Sequence, residues 1–141
     1  MAKQGFEDLD VWKKARSLKI EINELVESFP IVEKQRLTDR LIRSSRSVST
    51  LIAEGHTQHP FPNKIKYCIA ARDFLHETLA HLVDAYDAKY ISEELINAFR
   101  IKIAEIEKLL NVYISWFDDK PKKDKENGNT AVVSKANNQE N

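Results

Sequence analysis

Four stretches of this chain place apolar residues three and four positions apart, and three short breaks rich in proline, glycine or helix-capping residues separate them. Residues at that spacing share one face of an α-helix. A helix with one apolar face must bury it against another element. Four such faces, joined by short connections, lead to an all-α fold, an up-down-up-down antiparallel four-helix bundle. A length of 141 residues suits one domain with a core of two packed layers.

The first stretch predicts a helix over residues 10–28, with Val11, Ala15, Leu18, Ile22, Leu25, Val26 and Phe29 on its apolar face and Trp12 extending that face at its start. Pro30 stops it, because proline disfavours helical geometry in the residue before it and has no amide donor. Proline suits the first turn of the next helix, which is expected over residues 31–54 and to end at Gly55 as a left-handed cap. This second helix carries two apolar stripes, Leu37, Leu41, Val48 and Leu51 on one side and Ile42, Ile52 and Ala53 on another, with the small Ser45 and Ser49 between them. Such a pattern fits a helix with neighbours on more than one side. Residues 56–62, with Pro60 and Pro62, read as a loop. Asn63 is the expected N-cap of a third helix whose face holds Ile65, Cys68, Ile69, Leu75, Leu79, Leu82, Val83 and Tyr86. Ser92 is the expected cap of the fourth, and Glu93 and Glu94 put negative charge at the positive end of its dipole. Leu95, Phe99, Ile103, Ile106, Leu109, Leu110, Tyr113 and Phe117 make the cleanest stripe of all. From Asp118 the composition turns to Lys, Asp, Asn, Gly and Gln, with only Val132 and Val133 as sizeable apolar residues, so residues 118–141 are expected to be a disordered polar tail behind a bundle of residues 1–117.

Charge and cysteine content narrow the function. Lys+Arg and Asp+Glu both number 22, and the tail's five lysines are matched by five acids, so there is no basic arm and no overall basic excess of the kind nucleic-acid binders carry. Nucleic-acid binding would need a local patch. No apolar signal region opens the chain and no stretch reaches the roughly 18 uncharged apolar residues of a membrane span, so a cytoplasmic protein without membrane contact is expected. The single Cys68 lies among Ile65, Ile69 and Ala71 and reads as a small buried hydrophobe.

No catalytic or cofactor-binding constellation is legible. A two-metal bundle site needs Glu-x-x-His pairs, and of His56, His59, His76 and His81 only His76, three after Asp73, comes near that spacing. Asp73, Glu77 and His81 share a face at four-residue steps, which is the pattern of a charged outer stripe with local ion pairs. Gly5, Gly55 and Gly128 cannot build a phosphate-cradling loop. No metal, cofactor or enzymatic activity is therefore expected.

Two surface signals remain. Arg36, Arg40 and Arg43, with Arg46 just off their line, set four cations against the single acid Asp39. Such a row can pair with carboxylates within or between subunits, stand in solvent, or hold successive phosphates of RNA or DNA. The second signal is a set of apolar residues off the main stripes: Ile20 on the first helix, Tyr67 and Phe74 on the third, Ile101 and Val112 on the fourth. Several such residues on one small domain point to contact with another molecule, self-association being the simplest case.

The motifs Phe6-Glu-Asp-Leu-Asp-Val-Trp12-Lys-Lys-Ala15, Phe29-Pro30 with Glu33 and Leu37, Ile52-Ala-Glu-Gly55, Arg43, and Ala71 with Leu75 and Glu77 follow one another over about residues 6–117. In order and spacing they resemble the four-helix bundle family of proteins encoded by intervening sequences of bacterial 23S rRNA genes. The chain departs from that family's usual pattern at Leu51, where Asn is common, at Asp73-Phe74, where Gly-Ser is common, and at Arg40, where Gln is common. The resemblance implies a ring-like homo-oligomer, a pentamer, without known enzymatic activity. A related branch of that family serves as accessory subunit of diversity-generating retroelements, binding a reverse transcriptase and RNA or DNA through basic surfaces; that branch is more basic than this chain, which is not assigned to it, although the row from Arg36 to Arg46 is where such binding would sit. The expectation is thus a non-enzymatic homo-oligomeric scaffold, an accessory to a nucleic-acid enzyme, with direct RNA or DNA binding by the arginine row as the alternative.

Overall fold

The computed structural model describes residues 5–126, with side chains through residue 119. Four α-helices make up most of it: α1 (Asp10–Leu25), α2 (Leu37–His56), α3 (Phe61–Asp87) and α4 (Glu93–Glu126). Short 3-10 turns at Phe6–Asp8, Val26–Ser28 and Ile31–Glu33 precede or link them, and there is no strand among the described residues. Each helix packs on the next and α1 closes against α4, with α2–α3 the most extensive pairing and α1–α4 the least. This is the expected up-down-up-down bundle.

The core follows alternating steps of three and four residues. On α4 the line is Ile96, Phe99, Ile103, Ile106 and Leu110, all buried, continuing into the half-buried Tyr113 and Phe117. On α1 it is Val11, Ala15, Leu18 and Ile22. An apolar repeat averaging 3.5 residues keeps one seam facing its neighbours when helices cross at a shallow left-handed angle. Small residues are buried along both α2 and α3. Ser44, Ser45, Ser49, Ala71, Thr78 and Ala85 are all buried, and the Thr78 hydroxyl lies 2.9 Å from that of Ser44 across the interface. Buried hydroxyls need partners. Ser45 and Ser49 donate within α2 to the carbonyls of Ile42 and Arg46, at 3.2 and 3.1 Å.

The two connections at one end of the bundle clasp each other. The Phe29 and Tyr90 ring centroids are 5.4 Å apart, and the Tyr90 hydroxyl donates to Glu33 Oε2 at 2.7 Å. After α3 the chain turns through Lys89, whose φ of 66° is left-handed, while Lys89 N donates to Tyr86 O and Tyr90 N to Ala85 O. Those two bonds are the Schellman closure of a helix end. Ser92 caps α4 as expected, its Oγ accepting from Leu95 N at 3.1 Å.

Several boundaries differ from expectation. α2 begins at Leu37 rather than 31, because the chain spends Ile31–Glu33 and the following turn on reversing direction, and this leaves Ile31 and Val32 87% and 59% exposed. Gly55 is not a cap but a buried position inside α2, where a Cβ would lie 2.7 Å from Tyr67 Cβ. Asn63 lies inside α3, which starts at Phe61, and its amide donates back to His59 O at 2.9 Å. The buried face of α3 is Phe61, Lys64, Ala71, Leu75, Thr78, Leu82 and Ala85, rotated from the expected one, so that Ile69 is exposed. α4 continues past Phe117 to Glu126, into the segment expected to lack structure. The remaining tail, residues 127–141, lies outside the described residues. The helices are unequal, from 16 residues in α1 to 34 in α4.

Candidate functional site

Arg36, Arg40, Arg43 and Arg46 are all exposed. Arg36 stands just before α2, at φ −122° and ψ −108°, and the other three follow on its outward side. Arg43 Nε meets the Asp39 carboxylate at 3.0 Å, one turn back. Among the described residues no carboxylate pairs with Arg36, Arg40 or Arg46. Arg36 and Arg40 border a shallow depression with Glu33, Leu37, His81, Asp84 and Ala88. Cations at the start of a helix oppose its dipole, so this placement does nothing for the stability of α2.

The structure separates the five off-stripe apolar residues. Tyr67 packs against Gly55 and Phe74 against the core, both half-buried within the chain. Ile20, Ile101 and Val112 stay on the outside, at 42%, 64% and 57% exposure. Ile101 and Val112 are eleven positions apart, about three helical turns, and so lie on one line along the side of α4 away from its core residues.

Two of the histidines lie against carboxylates. His76 Nε2 lies 2.8 Å from Glu107 Oε2 on α4, and His81 Nδ1 lies 3.9 Å from Asp84 Oδ2. Asp73, Glu77 and His81 make no joint site. Among the described residues no group of three His, Cys, Asp or Glu side chains is placed to hold a metal ion, and no helix is long and apolar enough to cross a membrane.

At the end of the bundle opposite the clasped connections, the start of α1, the end of α2, the start of α3 and the end of α4 line a half-open cavity of about 350 Å³. Leu9, Val11, Leu51, Ile52, Leu110 and Phe117 supply its apolar wall, and Lys64 is the one lysine or arginine in the lining. Lys64 occupies a core position of the α3 seam and is 2% exposed. Its Nζ donates to His56 O at 2.6 Å and sits 5.8 Å from the Phe117 ring centre. Burial, then the nearby Lys64 charge, pushes the His56 pKa down. Burial raises the Cys68 thiol to about 11 against the opposing pull of Lys64. Tyr113 is raised too, chiefly by burial, then by Asp10 and Cys68. Sequence reasoning missed this cavity. The only signal was a lysine at a seam position, which reads as surface until the register of α3 is known.

With the fold in view, comparison with known proteins becomes informative. The family model described as 23S rRNA-intervening sequence protein matches residues 7–112. This chain belongs to that family. A crystal structure of a protein of unknown function from the S23 ribosomal protein family of Bacteroides thetaiotaomicron is similar, with a TM-score of 0.65 at 21% identity over 74% of this chain and 97% of that one. At that identity the likeness concerns the fold. No curated protein matches the chain.

Proposed function

We propose that this family member is a non-enzymatic, self-associating scaffold of the cytoplasm that acts beside a nucleic-acid enzyme or a structured RNA. The observation that carries the reading is the second apolar line of α4. Ile101 and Val112 point away from a core already filled by Ile103, Ile106 and Leu110, and Ile20 adds an exposed apolar residue on the adjoining helix α1. A helix with apolar residues on two opposite sides is suited to two sets of neighbours, and the bundle occupies only one. A closed ring of five copies is what the family resemblance implies. Zero net charge leaves copies free of mutual repulsion. Size-exclusion chromatography with light scattering tests the reading: a mass several times 16.3 kDa is expected, and Ile101→Asp with Val112→Asp should shift it towards the single chain. A strict monomer at micromolar concentration refutes it.

The exposed arginines favour a second reading, direct binding of RNA or DNA. Three of the four lack a carboxylate partner among the described residues, and the family description refers to an rRNA segment. Affinity for a structured RNA should then fall with salt, and the triple change of Arg36, Arg40 and Arg46 to Ala should lower the slope of log affinity against log salt by about 2–3. An unchanged slope removes the arginine row from binding.

A further inference from the structure

We propose that α4 of one chain lies antiparallel against α4 of a second copy, in a two-fold contact centred between residues 106 and 107. The inference rests on the self-association reading and adds to it the partner surface and its symmetry. Ile101 and Val112 are exposed on the side of α4 opposite Ile103, Ile106 and Leu110. At 100° per residue the line they belong to also takes in Ala98, Glu105, Lys108 and Ser115, all exposed. The steps along it alternate three and four residues, which is the spacing of the seam by which two helices wind about each other. The core line of α4 has the same period. This helix therefore carries two seams, and the bundle covers one.

The order of side chains along the uncovered seam is its own complement. Turned end for end about its centre, it sets Ile101 opposite the second copy's Val112, Glu105 opposite its Lys108 and Ala98 opposite its Ser115, each pair occurring twice. The Ile101–Val112 pairs supply apolar contact on either side of the centre, and the small pairs beyond them let the backbones approach. The central pairs join carboxylate to ammonium. A parallel arrangement in the same register would stack Glu105 on Glu105 and Lys108 on Lys108, so charge selects the antiparallel one. Both charges are available to a partner. Lys108 makes no ion pair among the described residues, and Glu105 Oε2 meets Lys14 Nζ only at 3.7 Å, with its side chain 56% exposed. One step further out Glu94 would face the second copy's Asp119, like charges that confine the overlap to residues 98–115, about 25 Å of helix. A five-membered ring closes through unlike faces. The like-with-like contact makes a dimer by itself or joins two rings back to back, and the number of chains is even in both cases.

Charge exchange read by sedimentation equilibrium of the full-length protein tests the contact, at exposed positions that leave the fold undisturbed. Glu105→Lys and Lys108→Glu should each weaken the pairing on the order of tenfold or more, because every contact then holds two like-charge pairs in place of two opposite ones. An equimolar mixture of the two variants should regain the parental affinity, since one chain now carries both cations and the other both anions. An ion pair within a single helix cannot produce that rescue. Disulfide formation gives a second measurement. In a Cys68→Ala background, which removes the native thiol, Ile101→Cys mixed with Val112→Cys should yield the mixed disulfide, and neither variant should cross-link alone. Equal positions of the two chains lie about 16 Å apart along the helix axis, well beyond the roughly 7 Å between Cα atoms that a disulfide spans. A mixture of the charge variants no tighter than its components, or cross-linking of Ile101→Cys with itself in preference to the mixed pair, overturns the two-fold contact and leaves self-association standing. A parent protein that remains a single chain overturns both.

Discussion

Replacing Gly55 by alanine sets two effects of opposite sign against each other. Gly55 lies inside α2, where alanine is favoured over glycine by about 0.5–1 kcal/mol because the glycine backbone loses more entropy on folding. Against this, the new Cβ would stand 2.7 Å from Tyr67 Cβ, 3.4 Å from its Cγ and 3.7 Å from its Cδ2. Reaching the edge of ordinary contact, 3.4 Å, requires a separation of 3.4 − 2.7 = 0.7 Å. No rotamer change can provide it, since Cβ is fixed to the α3 backbone, so the helices themselves must part along a close-packed seam. Overpacking of this kind costs about 1–3 kcal/mol, and the steric term outweighs the propensity gain. Gly55→Ala should therefore destabilise the protein by about 1–2 kcal/mol, measured by urea unfolding followed at 222 nm at fixed protein concentration. The geometry also distinguishes two backgrounds. Tyr67→Ala keeps the offending Cβ and should leave the penalty in place, whereas Tyr67→Gly removes it and should relieve the penalty in a double-mutant cycle. A Gly55→Ala protein as stable as its parent, or relief in the Tyr67→Ala background equal to that with glycine, would refute the close-approach account.

Two further outcomes follow from local chemistry. Lys89 holds a left-handed φ of 66° inside the closure of α3, a conformation that costs a side-chain-bearing residue about 1–2 kcal/mol; Lys89→Gly should raise stability by about 0.5–1 kcal/mol in the same urea assay, glycine giving back part of the gain as entropy. The folded Cys68 thiol titrates near 11 instead of the ordinary 9.0. Its contribution to stability is thus intact below about pH 9 and is lost as pH rises towards 11, by at most about 2–3 kcal/mol at 1.36 kcal/mol per unit. Cys68→Ala should flatten that part of the stability profile between pH 8 and 11, and an equally steep decline in the variant would contradict the assignment.

The fold was legible because each helix repeats apolar residues often enough to announce its type, and because Pro30 and Ser92 stand where the chain changes direction. What was not legible concerned small and amphipathic residues, whose burial depends on the neighbour rather than on themselves. Ala71, Thr78 and Ala85 form the seam of α3, yet the bulkier Ile65, Ile69, Val83 and Tyr86 attracted the expected face towards them. Gly55 reads as a helix terminator by its lack of a Cβ, and that same lack admits Tyr67 in the folded chain. The α2 arginines and three of the five off-stripe apolar residues were visible as surface features, because nothing inside a bundle can use them. Lys64 shows the opposite case, a charged side chain whose internal position no composition rule anticipates.

The tight α2–α3 seam bears on the order in which the chain acquires protection from solvent. These two helices are consecutive, separated by a short connection, and their hydroxyl pair Thr78–Ser44 spans only 34 positions, so closing their contact demands little loop entropy. Amide deuterium uptake should accordingly be slowest along this hairpin and faster in α1, making α2–α3 the kernel on which the outer helices condense.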